Sequence, residues 1–320
     1  MTLQKKNNSL EDLLAMPAVC YALPPLIKVT GQNNQGHVWS GEALLQTENQ
    51  STQVFRCVVK LLEPTTTLPI ELACAMAGNL LGNDIPQPVL VWADRANLPE
   101  LPMRIATEQV LLFGCAFIKQ DIFFEQLAAL DTNKTLDNAV WNSFCNDEKK
   151  AANGASLDEF ITNFDRHTRN LRFDGKRWWL IDHDCALLQT HKQDLAVMDA
   201  NFCSPINQIA QALLERRPMD HGMSGAARRA HDNIKDLSAL AANAAQWRSA
   251  DPELQNIWTR TAAVIALLAR RLPMLELMIE QRIGNKDSNT LQWTLPPSVH
   301  RVRPAAPKIR AQTHRAPAQK

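Results

Sequence analysis

The sequence reads Asn163-Phe164-Asp165-Arg166-His167-Thr168-Arg169-Asn170 and, shortly after, Trp178-Trp179-Leu180-Ile181-Asp182-His183-Asp184. Between these stretches lies Asp174-Gly175-Lys176, and an Asp-Gly pair between apolar segments is a strong signal for a β-hairpin turn. The pattern predicts a short strand on each side of the turn. Because a hairpin brings its two ends side by side, Asn170 is predicted to lie next to Asp182.

Three polar side chains in these stretches suit a phosphoryl-transfer site. Asp165 could orient or deprotonate an attacking hydroxyl group. Asn170 follows Asp165 at a spacing typical of such sites, and Asp182 ends an apolar run. The oxygens of Asn170 and Asp182 are ligands that suit Mg²⁺. A surface hairpin with solvated charges would show the same spacing, so the prediction also depends on partner residues nearer the N-terminus.

A strand predicted over residues 54–61 supplies one such partner. Alternate residues of this strand are apolar and are predicted to face the core: Phe55, Cys57, Val59 and Leu61. Lys60 and Val58 then face the opposite way, where Lys60 could reach phosphates and Val58 could touch a nucleotide base. An exposed lysine at the end of a strand gives the same pattern.

Two further features of the N-terminal part are candidates for the same site. A helix predicted over residues 69–82 carries Glu71 in its first turn, where the carboxylate either complements the helix dipole or pairs with Lys60. The turn-rich segment 31–37 contains Gly36, and the backbone N–H groups of such a turn can face phosphates. Segments rich in Asn and Gly also make ordinary hairpins.

The loop Asp165-Arg166-His167-x-x-Asn170, together with a strand that ends in Ile181-Asp182, resembles the HipA-like kinases and, more distantly, the phosphatidylinositol kinases. The resemblance covers roughly residues 27–188 and implies an α+β, protein-kinase-like bilobal fold. Such a fold has a small β-rich N-terminal lobe and a larger helical C-terminal lobe. The sequence departs from the family pattern at His183-Asp184, which stand where a Gly-containing pair is expected. This departure bears on any switch-like movement of the segment and leaves the expected metal binding by Asp182 unchanged.

The resemblance implies a role for each polar candidate. Lys60 is expected to bind the phosphates of ATP, and Glu71 is expected to hold that lysine in place. Asp165 is expected to position the acceptor hydroxyl group. Asn170 and Asp182 are expected to bind Mg²⁺.

The resemblance also implies where the adenine base would bind. The hinge between the two lobes is expected within residues 113–117, with Phe113 and Cys115 as candidates to bind the base through their backbone groups. Val58 is expected to touch the base from the strand that carries Lys60.

The chain is predicted to divide into four regions. These are an N-terminal extension over residues 1–25, an N-terminal lobe over 26–118, a helical C-terminal lobe over 119–288 and a disordered basic tail over 289–320. Further strands are predicted over 26–30, 38–45 and 109–118, and further helices over 9–15, 123–128, 136–144, 156–161, 206–214, 226–247 and 252–283. The helix over 156–161 is predicted to open with a capping box, Ser156-Leu157-Asp158-Glu159. Pro24-Pro25 is predicted to break the chain, 146–155 to form a polar loop, 221–225 to form a flexible turn, and Pro273 to kink the last helix.

Composition limits the class of protein. The chain has 320 residues, 45% of them hydrophobic and 21% charged, and a formal net charge of +1, which is an ordinary globular balance without a strong overall field. The longest apolar run, residues 110–118, is too short to span a membrane, and the N-terminus lacks the apolar segment of a signal peptide. Seven scattered cysteines without a Cys-x-x-Cys pair are expected to be reduced thiols. A cytoplasmic enzyme is the resulting expectation.

The function predicted from the sequence is an ATP- and Mg²⁺-dependent phosphotransferase, with a Ser/Thr acceptor on a protein implied by the family resemblance. A small-molecule or lipid kinase is one alternative, and a catalytically silent nucleotide-binding scaffold is another. The basic tail could contact nucleic acid, anionic lipid or an acidic partner, or could serve solubility alone.

Overall fold

The computed structural model describes residues 9–29, 37–46, 51–103, 105–122, 125, 134–187, 195, 200, 202–216 and 221–284. Three of the predicted features fall wholly or largely outside these ranges. They are the Gly36 turn, the helix over 123–128 and the basic tail over 289–320.

The N-terminal part is built on five strands that close into a barrel. The strands are β1 (Val19–Lys28), β2 (Val38–Gln46), β3 (Thr52–Lys60), β4 (Pro88–Asp94) and β5 (Gln109–Ala116). Their order around the barrel is β1-β2-β3-β5-β4, and a parallel pairing of β1 with β4 closes it. Helix α1 (Leu10–Leu14) precedes the barrel, and helix α2 (Thr67–Leu80) connects β3 to β4.

Alternation of apolar residues places one face of each strand inside the barrel. In β3 this face consists of Phe55, Cys57 and Val59, three of the four residues predicted, and all three are buried in the barrel core. The fourth, Leu61, follows the last residue of the strand and is only partly buried. Closure of the barrel was not predicted, because alternation of apolar residues does not reveal which strands pair when they are distant in the sequence.

The first strand differs from its prediction. β1 begins at Val19 and runs through Pro24-Pro25, which were predicted to break the chain. The ladder with β2 shifts register between Leu23 and Ile27, where the two prolines lie. Prolines have no N–H to donate, so a register shift is a place where a strand tolerates them. The predicted boundary at residue 25 falls inside this strand.

Within its described residues, the C-terminal part is helical apart from one hairpin. Its helices are α3 (Lys134–Asn146), α4 (Glu148–Phe160), α5 (Gln208–Arg216), α6 (His221–Asp232), α7 (Ile234–Ala244), α8 (Pro252–Arg271) and α9 (Leu275–Gly284). The hairpin consists of β6 (Leu171–Phe173) and β7 (Trp178–Leu180), joined at Gly175, whose φ is +90°. The predicted hairpin is therefore confirmed, as is the change from a β-rich to a helical part.

One large apolar core unites α2 with these helices. It includes Leu72, Phe160, Leu180, Ile265 and Leu268, which come from α2, α4, β7 and α8. Helix α2 directly follows β3 of the barrel in the chain and packs into this core, so it connects the barrel to the helical part.

Four helical predictions need correction. Residues 146–155 were predicted as a loop, but α4 begins there, with the Asp147 side chain accepting a hydrogen bond from the Lys150 backbone N–H. Ser156, predicted as a helix cap, is instead buried in the middle of α4. The Ala-rich first half of α4 packs inward, which favours a helix where polarity suggested a loop.

The other two corrections concern the segment after α5. The predicted flexible turn over 221–225 is the first turn of α6, and the single helix predicted over 226–247 is divided near Asn233. The predicted irregularity at Pro273 is confirmed, since a 3₁₀ turn over Leu272–Met274 separates α8 from α9. No helix within the described ranges combines the length and apolarity that a membrane crossing requires.

Candidate active site

Lys60 meets two aspartates that lie far along the chain. It is the last residue of β3, and its Nζ donates to Asp182 Oδ1 at 2.7 Å and to Asp184 Oδ2 at 2.8 Å. The lysine side chain is only 18% exposed, so these contacts are partly shielded from water. The structure therefore brings together a barrel strand and the segment after the hairpin, as the sequence predicted.

The backbone at Asp182 is unusual. Its φ of +63° lies in the left-handed region, which a residue with a side chain rarely adopts unless its surroundings hold it there. One restraint is on the preceding residue, where the Ile181 N–H donates to the Asn170 carbonyl at 3.1 Å. Another is on the following residue, whose N–H is bound by Glu71. This conformation directs the Asp182 carboxylate toward Lys60.

Glu71 has a different partner from the predicted one. Its carboxylate accepts a hydrogen bond from the His183 backbone N–H at 2.6 Å and lies 3.3 Å from His183 Nδ1. Within the described residues, no ion pair joins Glu71 to Lys60. The predicted Lys60–Glu71 pair is thus not formed, because His183 occupies the Glu71 carboxylate while Asp182 and Asp184 surround the lysine.

The three carboxylates nevertheless form one cluster. Glu71, Asp182 and Asp184 each present an oxygen, and these oxygens lie within 4.8 Å of one another. Carboxylate oxygens are the ligands that a hard divalent cation prefers. These three acids, two of which pair with Lys60, are a donor set that fits Mg²⁺, with the lysine supplying compensating charge.

The pKa values of the two aspartates in the cluster are shifted in opposite directions. Burial disfavours the ionised form of Asp182, but Lys60, a hydrogen bond with Asp184 and the neighbouring His183 together hold the pKa of Asp182 below its usual value. Burial and the neighbouring Asp182 charge raise the pKa of Asp184 to about 6. For Lys60, burial acts to lower the pKa, but Asp182 and Asp184 together raise it above its usual value. Asp182 is therefore the carboxylate that stays ionised under most conditions.

The loop before the hairpin connects Asp165 to Asn170, whose backbone carbonyl accepts the Ile181 N–H directly before Asp182. Asn170 is buried, and its Nδ2 donates to the Asp165 backbone carbonyl at 3.0 Å. The Asp165 N–H in turn donates to Asn163 Oδ1 at 3.2 Å. Burial lowers the pKa of His167, against the opposing charges of Asp165 and Asp182, so both aspartates lie within electrostatic reach of that imidazole.

The residues predicted to bind a base lie on strands next to Lys60. In the barrel ladder Val58 pairs with Cys115, and Lys60 pairs with Phe113. Phe113 is buried, whereas Val58 and Cys115 are partly exposed. Their binding to adenine stays a prediction, and Gly36 lies outside the described residues.

Sequence reasoning missed two residues and one contact of the site. Asp184 follows Asp182 by two residues, and this spacing was the available signal. The contact of Glu71 with His183 had no signal, since a backbone N–H is the donor. Asp158, whose carboxylate holds Arg166, was interpreted as part of a helix cap.

No protein-family model matches the chain, and no curated protein matches it. Among solved structures, the chain is similar to the Helicobacter pylori proinflammatory kinase CtkA, with 14% sequence identity and a TM-score of 0.45. The match covers 84% of this chain and 99% of that chain. A likeness at this level carries no information about chemistry, which depends on the side chains of the site.

Proposed function

We propose that the protein is an ATP- and Mg²⁺-dependent phosphotransferase. The observation that carries the proposal is the contact of Lys60 Nζ with Asp182 and Asp184, at 2.7 and 2.8 Å. A lysine between carboxylates at the end of a barrel strand gives a crevice one fixed positive charge and several oxygen ligands. Phosphoryl transfer needs this combination, because most of its catalysis is positioning and charge neutralisation.

Mg²⁺ fits the acidic cluster, where Asp182 would be its principal ligand and Asp184 a further one, while Glu71 would hold the turn between them through the His183 N–H. When bound, the ion supplies neutralisation of the triphosphate charge. Asn170 offers its side-chain oxygen as well, because its Nδ2 is occupied by the Asp165 carbonyl. When Asp182 binds the ion, Lys60 would be able to donate to phosphate oxygens.

Asp165 is the proposed residue for the acceptor. Its backbone is fixed on both sides, through its N–H by Asn163 and through its carbonyl by Asn170. Its carboxylate would accept the proton of the attacking hydroxyl group while a new O–P bond forms and the bond from the γ-phosphorus to ADP breaks. A serine or threonine of a protein is the first acceptor to test, on the resemblance to HipA-like kinases. A small-molecule or lipid hydroxyl is the alternative.

The proposal is tested with γ-labelled ATP and Mg²⁺. Wild type is compared with Asp165→Asn, Asp182→Asn and the control Arg228→Ala, which removes an exposed ion pair with Glu276. Label that reaches the protein or an added cell extract with wild type and the control, but with neither aspartate variant, supports a kinase. Equal label with all four proteins would show a contaminating kinase. Mg²⁺-dependent ATP binding without any transfer would favour the silent scaffold.

A further inference from the structure

Asp158 is a fully buried carboxylate that the proposed chemistry does not use. It lies in α4, and both its side chain and that of Arg166 are 0% exposed. The Arg166 guanidinium donates to it through Nη2 at 2.9 Å and through Nε at 3.1 Å. Two donors on one carboxylate fix the plane of the guanidinium.

The third nitrogen of Arg166 reaches the hairpin. Its Nη1 donates to the Ile181 carbonyl at 2.6 Å and lies 3.4 Å from the Asn170 carbonyl. Asn170 is one proposed metal ligand, and Ile181 directly precedes the other, Asp182. A single guanidinium therefore holds both ends of the hairpin at the point where the ligands emerge.

A second branch leads from the same carboxylate to the proposed acceptor residue. Asn163 Nδ2 donates to Asp158 Oδ1 at 3.3 Å, and Asn163 Oδ1 accepts from the Asp165 N–H at 3.2 Å. One carboxylate in α4 is thus connected by hydrogen bonds to the backbone at Asp165, at Asn170 and immediately before Asp182.

We propose that Asp158 and Arg166 are positioning residues, which set the relative positions of Asp165, Asn170 and Asp182. The inference rests on the proposed function for what those three residues do. A buried ion pair contributes little net stability, because desolvation of both charges offsets their attraction. Its directed hydrogen bonds to two carbonyls, in contrast, fix geometry that apolar packing would leave loose. Lysine cannot replace Arg166, since an ammonium group lacks the planar fork that reaches Asp158 and the carbonyls together.

The neighbouring residue provides a matched control. Glu159 in α4 is also fully buried and pairs with Arg282, whose Nη2 also donates to the Ser204 carbonyl. Among the described residues, the side-chain contacts of this second pair lead to none of the candidate site residues. Replacing Arg282 by lysine removes the guanidinium fork from a buried ion pair of the same helix and leaves the contacts of the loop and hairpin in place.

The experiment compares Arg166→Lys with Arg282→Lys. Backbone amide hydrogen exchange is measured across residues 163–170 and 181–184, and kcat, the KM for ATP and the Mg²⁺ midpoint are measured with the phosphoryl-transfer assay. We expect Arg166→Lys to raise exchange in both segments, to lower kcat roughly 100-fold and to change the KM for ATP little. Arg282→Lys should lower thermal stability and leave kcat and the exchange of both segments near wild type.

A second variant covers the case in which Arg166→Lys does not fold. Asp158→Leu combined with Arg166→Met removes both charges, and such replacements are often tolerated. A folded double variant should show the same faster exchange and the same loss of kcat. Exchange and kcat near wild type, in the double variant or in Arg166→Lys, would overturn the inference. Failure of wild type to bind ATP with Mg²⁺ would count against the proposed function alone, and hydrogen exchange would still decide the positioning role.

Discussion

Lys60 Nζ lies 2.7 Å from Asp182 Oδ1, although 122 positions separate the two residues along the chain. The barrel presents the lysine at the end of β3, and the hairpin presents the aspartate just after β7. Helix α2 lies between them in sequence and places Glu71 against His183, so the same turn is held from a second direction. The acidic cluster is therefore a product of tertiary structure and of no single motif.

Lys60→Met should weaken ATP binding roughly 10- to 100-fold, because a charge-assisted hydrogen bond contributes about 1.5–3 kcal/mol. The measurement is titration of the folded protein with a fluorescent ATP analogue and Mg²⁺. Lys150→Met is the control, since Lys150 pairs with Asp84 in a separate, partly exposed contact. Equal affinities of the two variants would remove Lys60 from the phosphate site.

Glu71→Ala should act on the metal more than on the nucleotide. Glu71 holds the His183 N–H beside Asp182, and loss of such an outer contact commonly lowers metal affinity about 10- to 100-fold. The Mg²⁺ concentration for half-maximal activity should rise by that factor, while the KM for ATP at saturating Mg²⁺ should change little. The reverse result is a higher KM for ATP with an unchanged Mg²⁺ midpoint. It would indicate that Glu71 acts on the nucleotide through Lys60, as the sequence predicted.

Asp184 should make stability depend on pH in a defined window. Its pKa is raised from 3.8 to about 6 in the folded state, so the folded protein binds more protons than the unfolded chain between these values. Its contribution to stability is then present below about pH 4 and is lost as the pH rises through about 6. Asp182, with a lowered pKa, acts in the opposite direction and only below its ordinary value.

The check is the free energy of unfolding in urea between pH 4 and 7, with EDTA present to exclude divalent ions. Relative to Asp184→Asn, wild type should lose stability across this range. Parallel pH profiles of the two proteins would show that Asp184 does not titrate there.

Gly114→Ala should destabilise the barrel. A Cβ at this position would lie 2.6 Å from Val91 Cγ2 and 3.0 Å from Val89 Cγ2, on the neighbouring strand β4. Overpacking of this kind costs about 1–3 kcal/mol. Thermal unfolding should show a lower midpoint for this variant than for Gly284→Ala, since a Cβ at Gly284 meets nothing within 4 Å. Equal midpoints would mean that β4 and β5 are packed less closely than described.

The hairpin and the inward face of β3 could be predicted because their signals are local. An Asp-Gly turn fixes the first, and alternation of apolar residues fixes the second. The Glu71–His183 contact could not be predicted, because its donor is a backbone amide from a distant segment.

The start of α4 was missed for a related reason. Asp147 caps that helix, but Ser156-Leu157-Asp158-Glu159 offers a second capping pattern within the helix. Local sequence does not choose between two such starts, whereas burial of the preceding alanines does. Asp158 was therefore assigned to a helix terminus, when its partner is the buried Arg166.

The most direct test of the central claim is calorimetric titration of wild type and Asp182→Asn with ATP, each with Mg²⁺ and with EDTA. The account predicts that wild type binds ATP more tightly with Mg²⁺ and that folded Asp182→Asn loses this difference. ATP binding by wild type that is the same with Mg²⁺ and with EDTA, or an undiminished Mg²⁺ effect in Asp182→Asn, would contradict it.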